Sequence, residues 1–154
     1  MKQFNIVLLI DDDSISNYIC SKVIQKADIC EELLVFEDGL AALSYLKDTK
    51  GSNKFPDLIL LDLYLGNMTG WDFIEQYKDL LAGCAKQKPS YLLLMSASND
   101  EGMENKVDHT PEITDFIEKP LLLDGLKQLL QGASFKEPAT SVGGFSSLHQ
   151  RGKF

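Results

Sequence analysis

Residues 7–16 read "VLLIDDDSIS", an aliphatic run that passes directly into Asp11, Asp12 and Asp13. Continuous rather than alternating hydrophobicity suits a strand buried on both faces of a parallel sheet. Three adjacent carboxylates at the end of such a strand repel one another, so the stretch asks for a compensating cation.

Four further apolar runs follow: "LLVF" at 33–36, "DLILL" at 57–61, "YLLLM" at 91–95 and "ITDFI" at 113–117. The segments between them carry helical spacing. In residues 14–27, "SISNYICSKVIQKA", Ile15, Ile19, Val23 and Ala27 recur every four residues and predict one helix face, with Asp13 or Ser14 as N-cap. "GLAALSYLKD" and "WDFIEQYKDLLAG" read the same way, "EGMENKV" is a shorter and more polar helix, and "LLLDGLKQLL" closes the series despite Gly125. Strand–helix alternation repeated five times predicts an α/β fold, a (βα)5 doubly wound parallel sheet with right-handed crossovers.

A length of 154 residues predicts a single domain with one sizeable core. The chain is acidic, with 23 Asp plus Glu against 15 Lys plus Arg and no basic patch, which argues against nucleic acid as partner. Cys20, Cys30 and Cys84 are widely spaced without a CxxC, so neither a disulfide framework nor a zinc site is expected, and a reducing cytoplasm is the expected location. The N-terminal apolar stretch is too short for a signal peptide, and no run reaches membrane-spanning length. Residues 133–154, "ASFKEPATSVGGFSSLHQRGKF", carry net +2 and no periodicity. They are expected to form a flexible tail behind a domain of residues 1–132, the alternative being a short docking motif of Phe145, Leu148 and Phe154.

In open α/β sheets, ligands bind beyond the carboxyl ends of the strands. The first strand delivers Asp11, Asp12 and Asp13 there, the third Asp62, the fourth Ser96 and the fifth Lys119, in "DFIEKP". Magnesium is a hard cation that takes oxygen ligands, and two aspartates of the first strand with Asp62 are a donor set of that kind. A carboxylate can also be a nucleophile toward phosphorus, and Asp62, alone at the end of a central strand, is the candidate. A lysine ammonium and a serine hydroxyl suit the remaining phosphoryl oxygens. Taken singly, each residue has a plainer role: Asp12 or Asp13 as helix cap, Asp62 in a turn, Lys119 as a solvated surface lysine. The ordered set at matching strand ends is what points to chemistry.

That set resembles the receiver domain of two-component response regulators over about residues 3–132. The matching motifs are the acidic pair after the first strand, the lone Asp after the third, Ser-Ala after the fourth and Lys-Pro after the fifth. The resemblance implies a flavodoxin-like sheet with strand order 2-1-3-4-5. It also implies Mg²⁺-dependent phosphorylation of Asp62 by a histidine kinase or a histidine phosphotransfer protein. Asp12 would bind Mg²⁺ directly, Asp11 through water, and the Tyr64 backbone carbonyl would complete the protein ligands. Ser96 and Lys119 would hold the phosphoryl group, Phe116 would occupy the switch position, and the Lys119–Pro120 bond would be cis. The output would be altered binding of a protein target at the face formed by the fourth helix, fifth strand and fifth helix, or relay of the phosphoryl group. Turnover would be limited to self-phosphorylation from small phosphodonors and autodephosphorylation, with side chains at Tyr64 and Ser98 influencing the phosphoryl lifetime. With no output domain expected after residue 132, a stand-alone regulator is the expectation.

The loop after Asp62 departs from the family's usual Asp-Leu-x-Met-Pro-x-Met-Asp-Gly. Here it reads "DLYLGNMTG", with Gly66 in place of the proline and Thr69 in place of the second aspartate. Two other readings stand beside the receiver. One is a non-phosphorylated pseudo-receiver adaptor, although none of the acidic or lysine positions is lost. The other is a haloacid-dehalogenase-type phosphohydrolase, for which Asp11 and Asp13 have the Asp-x-Asp spacing. That second reading lacks the usual threonine at position 15 and leaves Asp62 without a role.

Overall fold

The computed structural model describes residues 2–97, 102–132 and 135. Its elements alternate as expected: β1 (Phe4–Ile10), α1 (Ser14–Ala27), β2 (Cys30–Phe36), α2 (Gly39–Thr49), β3 (Leu58–Asp62), α3 (Gly70–Ala82), β4 (Tyr91–Ser96), α4 (Met103–Asp108), β5 (Asp115–Glu118) and α5 (Leu123–Gln131). The five strands form one sheet in the order β2-β1-β3-β4-β5, and every pairing is parallel. This is the flavodoxin-like arrangement.

Burial explains why the central strands are continuously apolar. All five residues of β3 are buried, as are all of β1 except Asn5. Side chains of successive residues alternate between two cores, one on each face of the sheet. Leu8, Ile10, Ile59, Leu61, Leu92 and Leu94 pack with Leu46, Phe73 and Tyr77 of α2 and α3, and with Met103 and Val107 of α4. Val7, Leu9, Leu58, Leu60, Leu93 and Met95 pack with Cys20, Ile24 and Leu126 of α1 and α5. Truncating one of these leucines to alanine removes about 2–5 kcal/mol. The edge strand β2 instead leaves Glu31, Glu32 and Val35 exposed, and such edge charges discourage pairing with another chain.

The caps are specific. The Asp13 carboxylate accepts from the Ile15 and Ser16 amides and so caps α1, which decides between Asp13 and Ser14. Helix α3 begins with a reciprocal capping box between Thr69 and Asp72, the position at which the family's usual aspartate is absent.

Helix α1 differs from its expected orientation. Its buried residues are Asn17, Cys20 and Ile24, while Ile15 is 70% exposed, Tyr18 64% and Ile19 46%. A four-residue step overshoots the helical turn by about 40°, so a stripe at 15, 19, 23 and 27 drifts roughly a third of a turn. Val23 and Ala27 therefore reach the core and Ile15 does not.

Of the segment expected as a tail, Phe135 is the one described residue. Its ring stacks on Tyr91 with centroids 4.3 Å apart and meets Phe4 edge-on at 6.1 Å. Phe145, Leu148, Phe154 and Ser98 lie outside the described residues. Among the described residues, no helix is long and apolar enough to cross a membrane.

Candidate functional site

The sheet register carries the sequence-predicted residues to one edge. Beyond β1, the Asp11 amide donates to the Phe36 carbonyl at 3.1 Å. Asp62 closes β3 opposite Met95, and the next amide, of Leu63, donates to the Met95 carbonyl at 2.9 Å. Ser96 closes β4 opposite Glu118, and the Lys119 amide donates to the Ser96 carbonyl at 2.8 Å. Each ladder thus continues one step past its strand, which fixes the direction in which Asp11, Asp62 and Lys119 leave the sheet.

Helix α3 begins directly against this edge. The Gly70 amide donates to the Leu63 carbonyl at 2.6 Å, and a Cβ on Gly70 would stand 3.1 Å from the Asp62 carbonyl and 3.2 Å from Leu63 Cα. A side chain at this position would press on backbone at both contacts, so glycine suits a helix that starts this close to the strand end.

Asp11, Asp12 and Asp62 come together, with one carboxylate oxygen of each lying within 4.8 Å of the others. Asp11 and Asp62 are buried, at 1% and 8% exposure, and Asp12 is exposed. The Lys119 ammonium bridges two of them, 2.7 Å from Asp11 Oδ2 and 3.2 Å from Asp62 Oδ1. Asp13 belongs to the α1 cap rather than to this cluster. Ser96 is buried at the end of β4. The Lys119–Pro120 peptide bond is cis. Phe116 is half-buried on β5 and packs against the core that includes Met103 and Val107 of α4. Tyr64 is 60% exposed beside the Asp62 strand end, and its backbone forms an antiparallel bridge with Thr69.

Sequence reasoning missed the side chains that hold Asp11. The Ser16 hydroxyl donates to Asp11 Oδ2 at 2.7 Å, the Asp13 amide donates to Oδ1 at 3.0 Å, and the Asn17 amide group donates to the Asp11 carbonyl at 2.7 Å. The available signal was a polar Ser-Asn pair interrupting the apolar spacing in the first turn of α1.

The electrostatics follow from burial and charge count. The Asp62 carboxyl is held above the usual carboxylate range by burial and by the charge of Asp11, against the pull of Lys119. Burial alone would lower the Lys119 ammonium, but the hydrogen bond to Asp11 and the charges of Asp62 and Asp11 outweigh it and raise its pKa above the ordinary lysine value. Three carboxylates face one ammonium, so the cluster keeps an excess of negative charge that a further cation would offset. Its hard oxygen donors fit magnesium. Both Asp11 carboxylate oxygens accept protein donors, Oδ1 from the Asp13 amide and Oδ2 from Ser16 and Lys119.

The sequence model of the response regulator receiver domain matches residues 7–131. The chain belongs to that family. It is 27% identical over 132 residues to the response regulator Rcp1 of Synechocystis sp., covering 82% of this chain and 84% of that one. It is 25% identical to the probable methanogenesis regulatory protein FilR2 of Methanothrix harundinacea, over 82% of this chain and 79% of the relative. Among solved structures, a two-component response regulator from Cytophaga hutchinsonii superposes with TM-score 0.75 at 26% identity, over 84% of this chain and 96% of that one. A response regulator receiver protein from Dyadobacter fermentans gives TM-score 0.69, also at 26% identity, over 82% and 94%. The protein is thus a response regulator receiver domain, of the kind that serves two-component signalling.

Proposed function

We propose that Asp62 is the phosphoacceptor of a Mg²⁺-dependent receiver switch. The observation that carries this reading is the Asp62 carboxylate, buried at the end of β3 with Lys119 Nζ at 3.2 Å and two further aspartates beside it. An Asp62 carboxylate oxygen attacks the phosphorus of a phosphohistidine. The O–P bond forms as the P–N bond breaks, and the bonding electron pair leaves with the imidazole nitrogen. Asp12, Asp62 and the Tyr64 backbone carbonyl are the groups that would hold Mg²⁺, with Asp11 acting through water. When bound, the ion supplies charge neutralisation at the phosphoryl oxygens. Lys119 pairs with one phosphoryl oxygen and the Ser96 hydroxyl donates to another.

The phosphoryl group adds charge and acceptor oxygens at the mouth of the sheet. Ser96 moves toward it, Phe116 fills the space released, and the face formed by α4, β5 and α5 changes its affinity for a protein target. A histidine kinase or phosphotransfer protein must reach Asp62, and the exposed face of Ile15, Tyr18 and Ile19 begins two residues beyond the Asp13 cap. That adjacency supports α1 as the surface the phosphodonor covers.

The test is the amide NMR spectrum with and without Mg²⁺ and beryllofluoride, a phosphoryl mimic. The reading expects shifts at the strand ends, at Phe116 and along α4. Identical spectra would contradict it.

A further inference from the structure

The loop at Gly66 differs from the family's proline pattern, and its geometry places it against the acidic cluster. The Leu65 amide donates to the Met68 carbonyl at 2.9 Å, and the Asn67 amide donates to the Leu65 carbonyl at 2.8 Å. The second bond closes a three-residue turn centred on Gly66, whose φ is +77°. Proline, fixed near −65°, cannot occupy that turn. On the inner side the loop is anchored by Leu65, which is 2% exposed.

On the outer side lies Asp12. A Cβ added to Gly66 would stand 2.9 Å from Asp12 Oδ2, well inside the roughly 3.3 Å at which carbon and oxygen meet without repulsion. The turn is held by two backbone hydrogen bonds and by buried Leu65, whereas the Asp12 carboxylate is the far end of an exposed side chain and yields at less cost than backbone. The carboxylate is therefore the group that would be displaced.

We infer that Gly66 is a positioning residue for the cation site. Its missing side chain lets the Asp12 carboxylate lie against the loop, and this placement sets the divalent-cation affinity. The inference rests on the reading of Asp12 as a direct cation ligand.

Gly51 provides an internal control. Its φ of +81° is likewise one that a residue with a side chain rarely adopts, but a Cβ there meets nothing nearer than Cys84 Sγ at 3.8 Å. Alanine at either position bears a positive-φ penalty, and of the two only at Gly66 does the added methyl reach the acidic cluster.

The experiment titrates Mn²⁺, standing in for Mg²⁺, into wild type, Gly66→Ala and Gly51→Ala, and reads free ion by electron paramagnetic resonance. Circular dichroism melts on the same samples report folding. The expected result is a dissociation constant at least fivefold weaker in Gly66→Ala and within twofold of wild type in Gly51→Ala, with comparable melting temperatures for the two variants. Gly66→Ala within twofold of wild type, or an equal loss in Gly51→Ala, overturns the inference. A wild type that binds no Mn²⁺ overturns the cation reading beneath it, a result distinct from a binding wild type matched by Gly66→Ala.

Discussion

Lys119 Nζ lies 2.7 Å from Asp11 Oδ2, joining the end of β5 to the end of β1 across 108 residues of chain. Strands β3 and β4 separate the two in the sheet, so the pair spans the mouth of the site rather than neighbouring strands. Asp11 is 1% exposed, and this ammonium with the Ser16 hydroxyl satisfies its Oδ2. The same ammonium reaches Asp62 at 3.2 Å, so one lysine offsets the two most buried carboxylates of the cluster.

Lys119→Met removes that offset and leaves Asp11 and Asp62 to repel at short range. Breaking a buried pair on one side costs about 3–5 kcal/mol, and partial hydration at this edge reduces the expected loss to roughly 2 kcal/mol. Urea denaturation in EDTA should show this loss, and Mg²⁺ should restore more stability to Lys119→Met than it adds to wild type. Equal stability in EDTA would contradict the assigned electrostatics.

Asp62 itself predicts a pH-dependent stability. Its carboxyl pKa is raised in the folded state by burial and by Asp11, above the ordinary 3.8. The stabilisation linked to such a group is complete below the unfolded pKa and lost as pH rises through the folded one, so ionised Asp62 is a cost at neutral pH. In EDTA at pH 7, Asp62→Asn should melt above wild type. The difference should shrink as pH falls toward 3.8. Thermal melts across pH check this, and a variant that melts lower at pH 7 would refute it.

The exposed face of α1 separates protein donors from small ones. Ile15→Glu with Ile19→Glu alters side chains that are 70% and 46% exposed and leaves the core intact. Phosphoryl transfer from a phosphohistidine protein should fall at least tenfold, roughly 1.4 kcal/mol in the transfer barrier. Labelling by acetyl phosphate should stay within twofold. Parallel losses in both assays would point to damage at the site instead.

Tyr64 stands half open beside Asp62, where its ring can shield an acyl phosphate from water. Tyr64→Ala should lose the phosphoryl group several-fold faster than wild type, measured by the decay of the phosphorylated mass. An equal or slower decay would remove the shielding role.

The strand ends were legible because Asp11, Asp62 and Ser96 each follow directly on an apolar run and Lys119 follows the run at 113–117 after Glu118, and a parallel sheet carries all such ends to one edge. Asp11, Asp62, Ser96 and Lys119 needed no more than that rule. The orientation of α1 was not legible, since four-residue spacing drifts around the helix and the true seam runs through Asn17, Cys20 and Ile24. A buried asparagine breaks the apolar pattern that such readings follow, yet it ties α1 to Asp11. Gly66 was visible as a departure, but its meaning depends on the turn it centres and on the distance to Asp12, and neither has a local sequence signal. Phe135 fell in a stretch without periodicity, and its place is set by Tyr91 and Phe4, far away in the chain.

The most direct test of the central claim is intact mass after incubation with acetyl phosphate, in Mg²⁺ and in EDTA, for wild type and Asp62→Asn. A single phosphoryl adduct that requires Mg²⁺ and is absent from Asp62→Asn is the predicted result. No adduct on a folded wild type, or an undiminished adduct on Asp62→Asn, would contradict the assignment of Asp62 as phosphoacceptor.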